Sequence, residues 1–323
     1  MRPVLPALVF ATVLCSCSAH RSPAGVRPPA SREHTGPART VERPKGLLTL
    51  EQAETYMLEL INRDREAEGV AAVEWDPIAA RAGMRHARDM VARGFTAHIG
   101  TDGSVPELRY TEAGGVHMSQ ENAGCFADAK GREVDPEPRF DPAAIERVEA
   151  AFMAEKPPHD GHRKNILKRW HTHVGVGLAK ARGLDIVCLA QEFTDQYGSY
   201  ADAPREAKLG QKLEVSGKVI APARFVGVGL SRIDTPTAKE PKHLLRTGSY
   251  AIPAPFVTYF PQGFVTPKPV TVRGEQFEIE IPLSDNKSAP AAGRRGVYGL
   301  SIWAEVPGTK DFVMVSLRTI RVK

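Results

Sequence analysis

Around Tyr200 the spacing of apolar residues in this 323-residue chain changes period, and that change bounds what the chain can fold into. Upstream, Tyr56, Met57, Leu60 and Ile61 recur at helical spacing behind a capping box, Thr49-Leu50-Glu51-Gln52, in a segment that ends at Gly69. Asp76 and Pro77 supply the cap and first turn of a second helix, with Ala79, Ala82, His86 and Met90 on one face and Gly94 beyond its end. Asp141 and Pro142 repeat the signal for a helix carrying Ile145, Val148 and Phe152, and the runs Val174 to Ala179 and Leu184 to Phe193, split by Ala181-Arg182-Gly183, read as a β-hairpin. Downstream the period is two. Leu213 to Val215, Phe225 to Val228, Phe256 to Tyr259, Phe277 to Ile281, Gly299 to Trp303 and Val313 to Leu317 alternate between turns of Pro, Gly and Asp. The expectation is an α+β chain: an α-β-α sandwich over 48–200, then an all-β immunoglobulin-like sandwich over 205–323. The second domain reads as a binding or spacer module, its Tyr259 and Phe260 serving core packing before any ligand.

The N-terminus sets the compartment. Arg2 precedes an apolar run, Val4 to Leu14, too short to span a bilayer but the size of an export signal's core. Leu14-Cys15-Ser16-Cys17 resembles a bacterial lipobox, so residues 1–17 are read as a lipoprotein signal and Cys17 as the lipidated first residue of the mature chain. Ser18 in place of Asp favours the outer membrane, and an ordinary cleaved signal is the alternative. Acyl chains would hold the protein at the envelope, each buried methylene contributing about 0.8 kcal/mol. Residues 18–47, rich in Pro, Ala, Arg and Ser, read as a disordered tether.

The chemistry concentrates in three stretches. Gly161 to Leu167 reads GHRKNIL, a short helix anchored by Ile166 and Leu167 that would present His162 to a cavity; Gln120 to Gly124 reads QENAG; and a lone His98 precedes both. Together with Thr172-His173-Val174-Gly175-Val176-Gly177 and the helix ending His86 to Met90, these motifs resemble the bacterial branch of the CAP superfamily (cysteine-rich secretory proteins, antigen 5 and pathogenesis-related proteins) over roughly Leu48 to Tyr197. The resemblance implies an α-β-α sandwich with a cleft holding two His and two Glu, mapping to His98, Glu121 and His162. The family's aromatic-x-x-Glu pattern places the second carboxylate at Glu155, with Glu149 a helical face away as the alternative. Phe152 stands where Trp is usual, and Gln120 where Gly usually precedes the Glu.

Such a tetrad offers nitrogen and oxygen ligands to a divalent metal, Zn2+ being the plausible ion, or forms a hydrogen-bonded cluster that shapes the cleft. Two functions follow: a non-catalytic, lipid-anchored envelope protein binding a metal, lipid or cell-wall component, or a metal-dependent hydrolase of extracellular peptide or glycan with Glu121 or Glu155 as base. Ser119 and Ser104 lie near the motifs without a legible oriented base or oxyanion hole. His86 reads as a packing histidine, His171 and His173 as surface residues at a strand start, and Asp102-Gly103-Ser104 as a turn. Cys125 and Cys188 are the thiols outside the signal, either bridged, with a loop term of about 4 kcal/mol, or buried and free. A formal charge of +5 spread without a basic block argues against nucleic acid.

Overall fold

A computed structural model of the chain describes residues 33–125, 130–247, 249–283 and 293–323. The signal and Cys17 lie outside the described residues. The N-terminal domain contains helices α1 (Leu50–Ala67), α2 (Pro77–Arg93), α3 (Pro106–Glu112), α4 (Pro142–Met153) and α5 (Gly161–Ile166), and strands β1 (Glu74–Trp75), β2 (Met118–Cys125), β3 (His173–Lys180) and β4 (Val187–Asp195). The sheet order is β1-β3-β4-β2, with β3 and β2 antiparallel to β4 and β1 parallel to β3.

Strand pleating separates two cores. Val174, Val176, Leu178, Leu189 and Phe193 face α1 and α4, packing with Tyr56, Met57, Ile61, Ile145 and Phe152. The alternate residues, among them Ala179 and Cys188, face Ala87 and Met90 of α2. Helices therefore cover both faces, as the sequence predicts. The predicted caps form: Thr49 and Gln52 make a reciprocal capping box, Asp76 accepts from the Ile78 and Ala79 amides, and Gly94 closes α2 with φ of 67°.

The glycines of the Val174–Gly177 motif have a steric task. A Cβ on Gly177 would fall 1.9 Å from the Met84 amide nitrogen, and one on Gly175 2.0 Å from that of Ala80. Helix α2 thus lies backbone-to-backbone on β3, which is what carries His86 and the α2–α3 connection close to the sheet.

The C-terminal domain has two sheets. One, ordered β10-β11-β7-β5, uses β5 (Gly198–Tyr200), β7 (Lys212–Val219), β10 (Thr271–Arg273) and β11 (Gln276–Pro282); the other, β6-β13-β12-β8-β9, uses β6 (Glu206–Ala207), β8 (Arg224–Ile233), β9 (Val257–Tyr259), β12 (Gly296–Glu305) and β13 (Val313–Val322). Leu213, Phe277 and Ile281 from the first and Val228, Leu300, Ile302 and Val315 from the second share one core, making a β-sandwich. A short helix, α6 (Pro241–Leu244), interrupts the β8–β9 connection. Tyr259 is buried in the core.

Two boundaries differ from expectation. Tyr197 and Tyr200 pack in the sandwich core and β5 pairs with β7, so the second domain begins before Tyr200. Residues 33–47, read as tether, lie against the first domain: Glu33 bridges to Val70, Arg39 pairs with Glu66, and Arg43 with Glu146. That stretch is too poor in apolar residues to order itself, but its arginines find carboxylates on α1 and α4.

Candidate functional site

Four elements bring the predicted tetrad together. Strand β2 carries Glu121, the loop after α2 carries His98, the turn after α4 carries Glu155, and α5 opens with Gly161-His162. His98 Nδ1 donates to Glu121 Oε1 at 2.9 Å, and His162 Nδ1 donates to Glu155 Oε1 at 2.5 Å, while the His162 amide donates to Glu155 Oε2 at 2.9 Å. Of the two candidate carboxylates, Glu155 stands beside His162 in the cleft, while Glu149 is fully buried against Gln191. The imidazole centroids are 6.5 Å apart, and His162 stacks on Phe152 at 4.3 Å. Both dyads line one cleft of about 700 Å³.

The sequence profile of the cysteine-rich secretory protein family, CAP, matches residues 58–193. The chain carries a CAP domain. An extracellular protein containing an SCP domain from Bacillus anthracis str. Ames is similar at 20% identity and a TM-score of 0.34, over 46% of this chain and 44% of that one. A chitin binding domain from Burkholderia pseudomallei is similar at 12% identity and a TM-score of 0.23, over 38% of this chain and 57% of that one. The chain thus spans less than two thirds of either structure. No curated protein matches it significantly.

Beneath the CAP cleft lies a charged network that sequence reasoning did not find. Arg109 of α3, buried, donates through Nη2 to Glu121 Oε2 at 2.6 Å and to the His98 carbonyl at 3.0 Å, and through Nη1 to the Ser104 carbonyl at 2.9 Å. Burial alone would raise the Glu121 carboxyl, but Arg109, with His86 and His98, outweighs it and holds the group well below the usual carboxylate range. Glu192 faces Glu121 across β2 and β4, and burial, then the Glu121 charge, pushes it well above that range. Ser119 donates to Glu192 Oε2 at 2.7 Å. The legible signal was Gln191-Glu192 inside the otherwise apolar run Val187 to Phe193.

On the other face, Glu149 is fully buried and accepts from Gln191 Nε2 at 2.6 Å; burial pushes it up to about 8, the Gln191 hydrogen bond opposing. Gln191 in turn accepts from Asn122 Nδ2, which also donates to the His162 carbonyl at 3.2 Å. Asn122 thereby ties QENAG to GHRKNIL. Arg65, buried in α1, donates to the carbonyls of Ile166 (2.5 Å) and Lys168 (3.1 Å), satisfying the open end of α5.

His86 behaves as expected: Nε2 donates to the Ala97 carbonyl at 2.6 Å, and burial followed by the Arg109 charge lowers its pKa to about 4. The surface reading of His171 is wrong. It is fully buried, with Nδ1 2.6 Å from Asp195 Oδ1 and Nε2 3.1 Å from Asn165 Oδ1, because the strand start beneath GHRKNIL is covered by Trp170 and Phe193. His173 is partly exposed beside Thr172. Asp102 to Ser104 forms the predicted turn, with Gly103 at φ 79°.

Cys125 and Cys188 sit opposite each other on β2 and β4 and are disulfide-bonded, closing a sequence separation of 63 residues. The bond fixes the strand bearing Glu121 to the central strand.

Among the described residues no group of three or more His, Cys, Asp or Glu is arranged to hold a metal. The tetrad does not supply four direct ligands, since both carboxylates are engaged by Nδ1. That engagement leaves Nε2 of each imidazole as the donor, the carboxylate–histidine arrangement that orients metal ligands. Ligation of a zinc ion by both Nε2 atoms at about 2.0–2.1 Å needs centroids roughly 5–6 Å apart. The centroids of these partly exposed rings stand 6.5 Å apart, just outside that range, and their two nitrogens are two of the four ligands a tetrahedral zinc ion takes. No helix among the described residues is long and apolar enough to cross a membrane.

Proposed function

We propose that the chain is an exported cell-envelope protein, anchored through acylated Cys17, whose CAP cleft binds its ligand without transforming it. One observation carries this reading: two His–Glu dyads stand side by side in an accessible cleft, each carboxylate committed to orienting its own imidazole. A divalent metal such as Zn2+ would be held by Nε2 of His98 and His162. When bound, it would supply a positive centre for an oxygen-bearing lipid or wall component. Glu121 keeps the His98 ring in register because Arg109 holds the carboxylate ionised, and Glu155 does the same for His162 through both its amide and its ring.

The hydrolase reading asks more of these residues than they provide. Its base would be Glu121 or Glu155, yet Glu121 is fully buried and locked to Arg109, and Glu155 is spent on His162. Ser119 is buried with its hydroxyl turned to Glu192. The test is zinc stoichiometry, by calorimetry and elemental analysis, on the purified chain and on His162→Ala. A single zinc bound by the chain and none by the variant is expected; equal binding by both would refute the metal assignment.

A further inference from the structure

The cleft is not built by the CAP domain alone. The β8–β9 connection of the sandwich crosses onto it: the Lys239 amide donates to the Thr101 carbonyl at 2.8 Å, Leu244 packs in the core with Met90 and Phe95, and Tyr250 Oη donates to Glu107 Oε1 at 2.5 Å. Thr247, Ser249, Tyr250 and Ile252 consequently line the same cleft as the two imidazoles. At the same seam Glu107, only 4% exposed, is among the residues lining the cleft, and its Oε2 is buried without a partner.

The cleft continues outward. Gln120 and Ile252 also line an adjoining pocket of about 600 Å³ between the domains, whose walls carry Trp170, Trp303 and Phe312. Trp303 has its polar edge tied down, Nε1 donating to Ser301 Oγ at 2.9 Å, and Phe312 is 53% exposed. Each compartment has the volume of a small-ligand site, so the pair suits one elongated ligand. Its chemistry is mixed along the whole length. Lys310 and Asp311, both exposed, share the outer walls with the aromatic rings, and an acyl chain laid there would strip water from charges it cannot satisfy. A sugar ring has hydroxyls on its edge and C–H groups on its faces, and so matches polar walls interrupted by aromatic surfaces.

Resting on the reading that the cleft binds rather than transforms, we propose that its ligand is an extended, hydroxyl-rich oligosaccharide lying across both domains, from the His98–His162 pair, past Tyr250, to Trp303 and Phe312. The second domain is then half of the binding site.

The probe is soluble peptidoglycan glycan strands, titrated into the full chain and followed by tryptophan fluorescence, since two of the three tryptophans line the outer pocket. Phe312→Ala alters an exposed side chain and leaves the fold intact; Tyr250→Phe tests the wall. Saturable binding, weakened roughly tenfold by Phe312→Ala, is expected. Absence of glycan binding, or binding indifferent to both variants, overturns the proposal. Phosphatidylglycerol vesicles binding in a Phe312-dependent manner, with glycan inert, overturns it in favour of lipid while leaving the cleft reading intact. Failure of zinc binding with glycan binding retained removes the metal assignment alone.

Discussion

Glu149 offers a quantitative check on the buried polar layer behind the cleft. Its carboxyl has no exposed surface, one oxygen accepts from Gln191, and the other has no partner. Burial raises its pKa from 4.5 to about 8. Because the folded value lies above the unfolded one, the folded state holds an extra proton between those limits. Stability from this group is complete below about pH 4.5 and is lost as pH rises to about 8. Each pH unit in the window costs about 1.4 kcal/mol, so wild type should forfeit roughly 3 kcal/mol at pH 7. Glu149→Gln keeps the shape and an acceptor for Gln191 without an ionisable group, and should escape that loss. Urea unfolding at pH 5 and pH 7 should show the variant gaining about 2–3 kcal/mol on wild type between the two conditions. Parallel pH profiles for the two proteins would show that Glu149 reaches water and that the buried layer is not dry.

Two further perturbations test neighbouring links. Arg109→Met would leave the buried Glu121 charge without its guanidinium partner, with the His98 hydrogen bond remaining, and should cost about 3–5 kcal/mol, measured by denaturant midpoint; restoration by adding Glu121→Gln would confirm the origin of the loss. Gly177→Ala should cost about 2 kcal/mol or more, because its methyl would meet the backbone of α2, whereas Gly183→Ala, with open space around it but φ of 69°, should cost only about 1–2 kcal/mol; thermal melts that rank them the other way would contradict the close approach of helix and strand.

What could be read from the sequence was whatever local chemistry dictates. Asp76-Pro77 and Asp141-Pro142 announce helices because a carboxylate can cap free amides and proline pre-sets the first turn, and both helices are where those pairs put them. Helix α3 was missed because Val105 supplies no side-chain cap and its seven residues give no clear period. His98, Glu121, Glu155 and His162 were found through motif resemblance, and their convergence is a property of the sheet. Arg109, Glu107 and Tyr250 had no such signal. An arginine in a short helix looks like surface until a carboxylate from another strand is found 2.6 Å away, and Tyr250 reaches Glu107 across a sequence distance that no periodicity reports.

The same long-range character explains why the site is built where it is. An imidazole at the surface of a cleft is only as well placed as the group that holds its Nδ1, and here each holder is held in turn: Glu121 by Arg109 and by a strand disulfide-bonded to β4, Glu155 by the amide that opens α5. Arg65 and Asn122 fix α5 from below, so His162 cannot move without disturbing α1 and β2. The cost of this arrangement is several ionisable groups buried between the layers. Burial pushes Glu192, Glu149 and Glu107 upward, which favours their neutral forms and leaves Glu121 as the ionised member of the pair it forms with Glu192. A single negative charge beneath His98, matched by Arg109, is the electrostatic condition under which that ring keeps its proton on Nδ1 and offers Nε2 to the cleft.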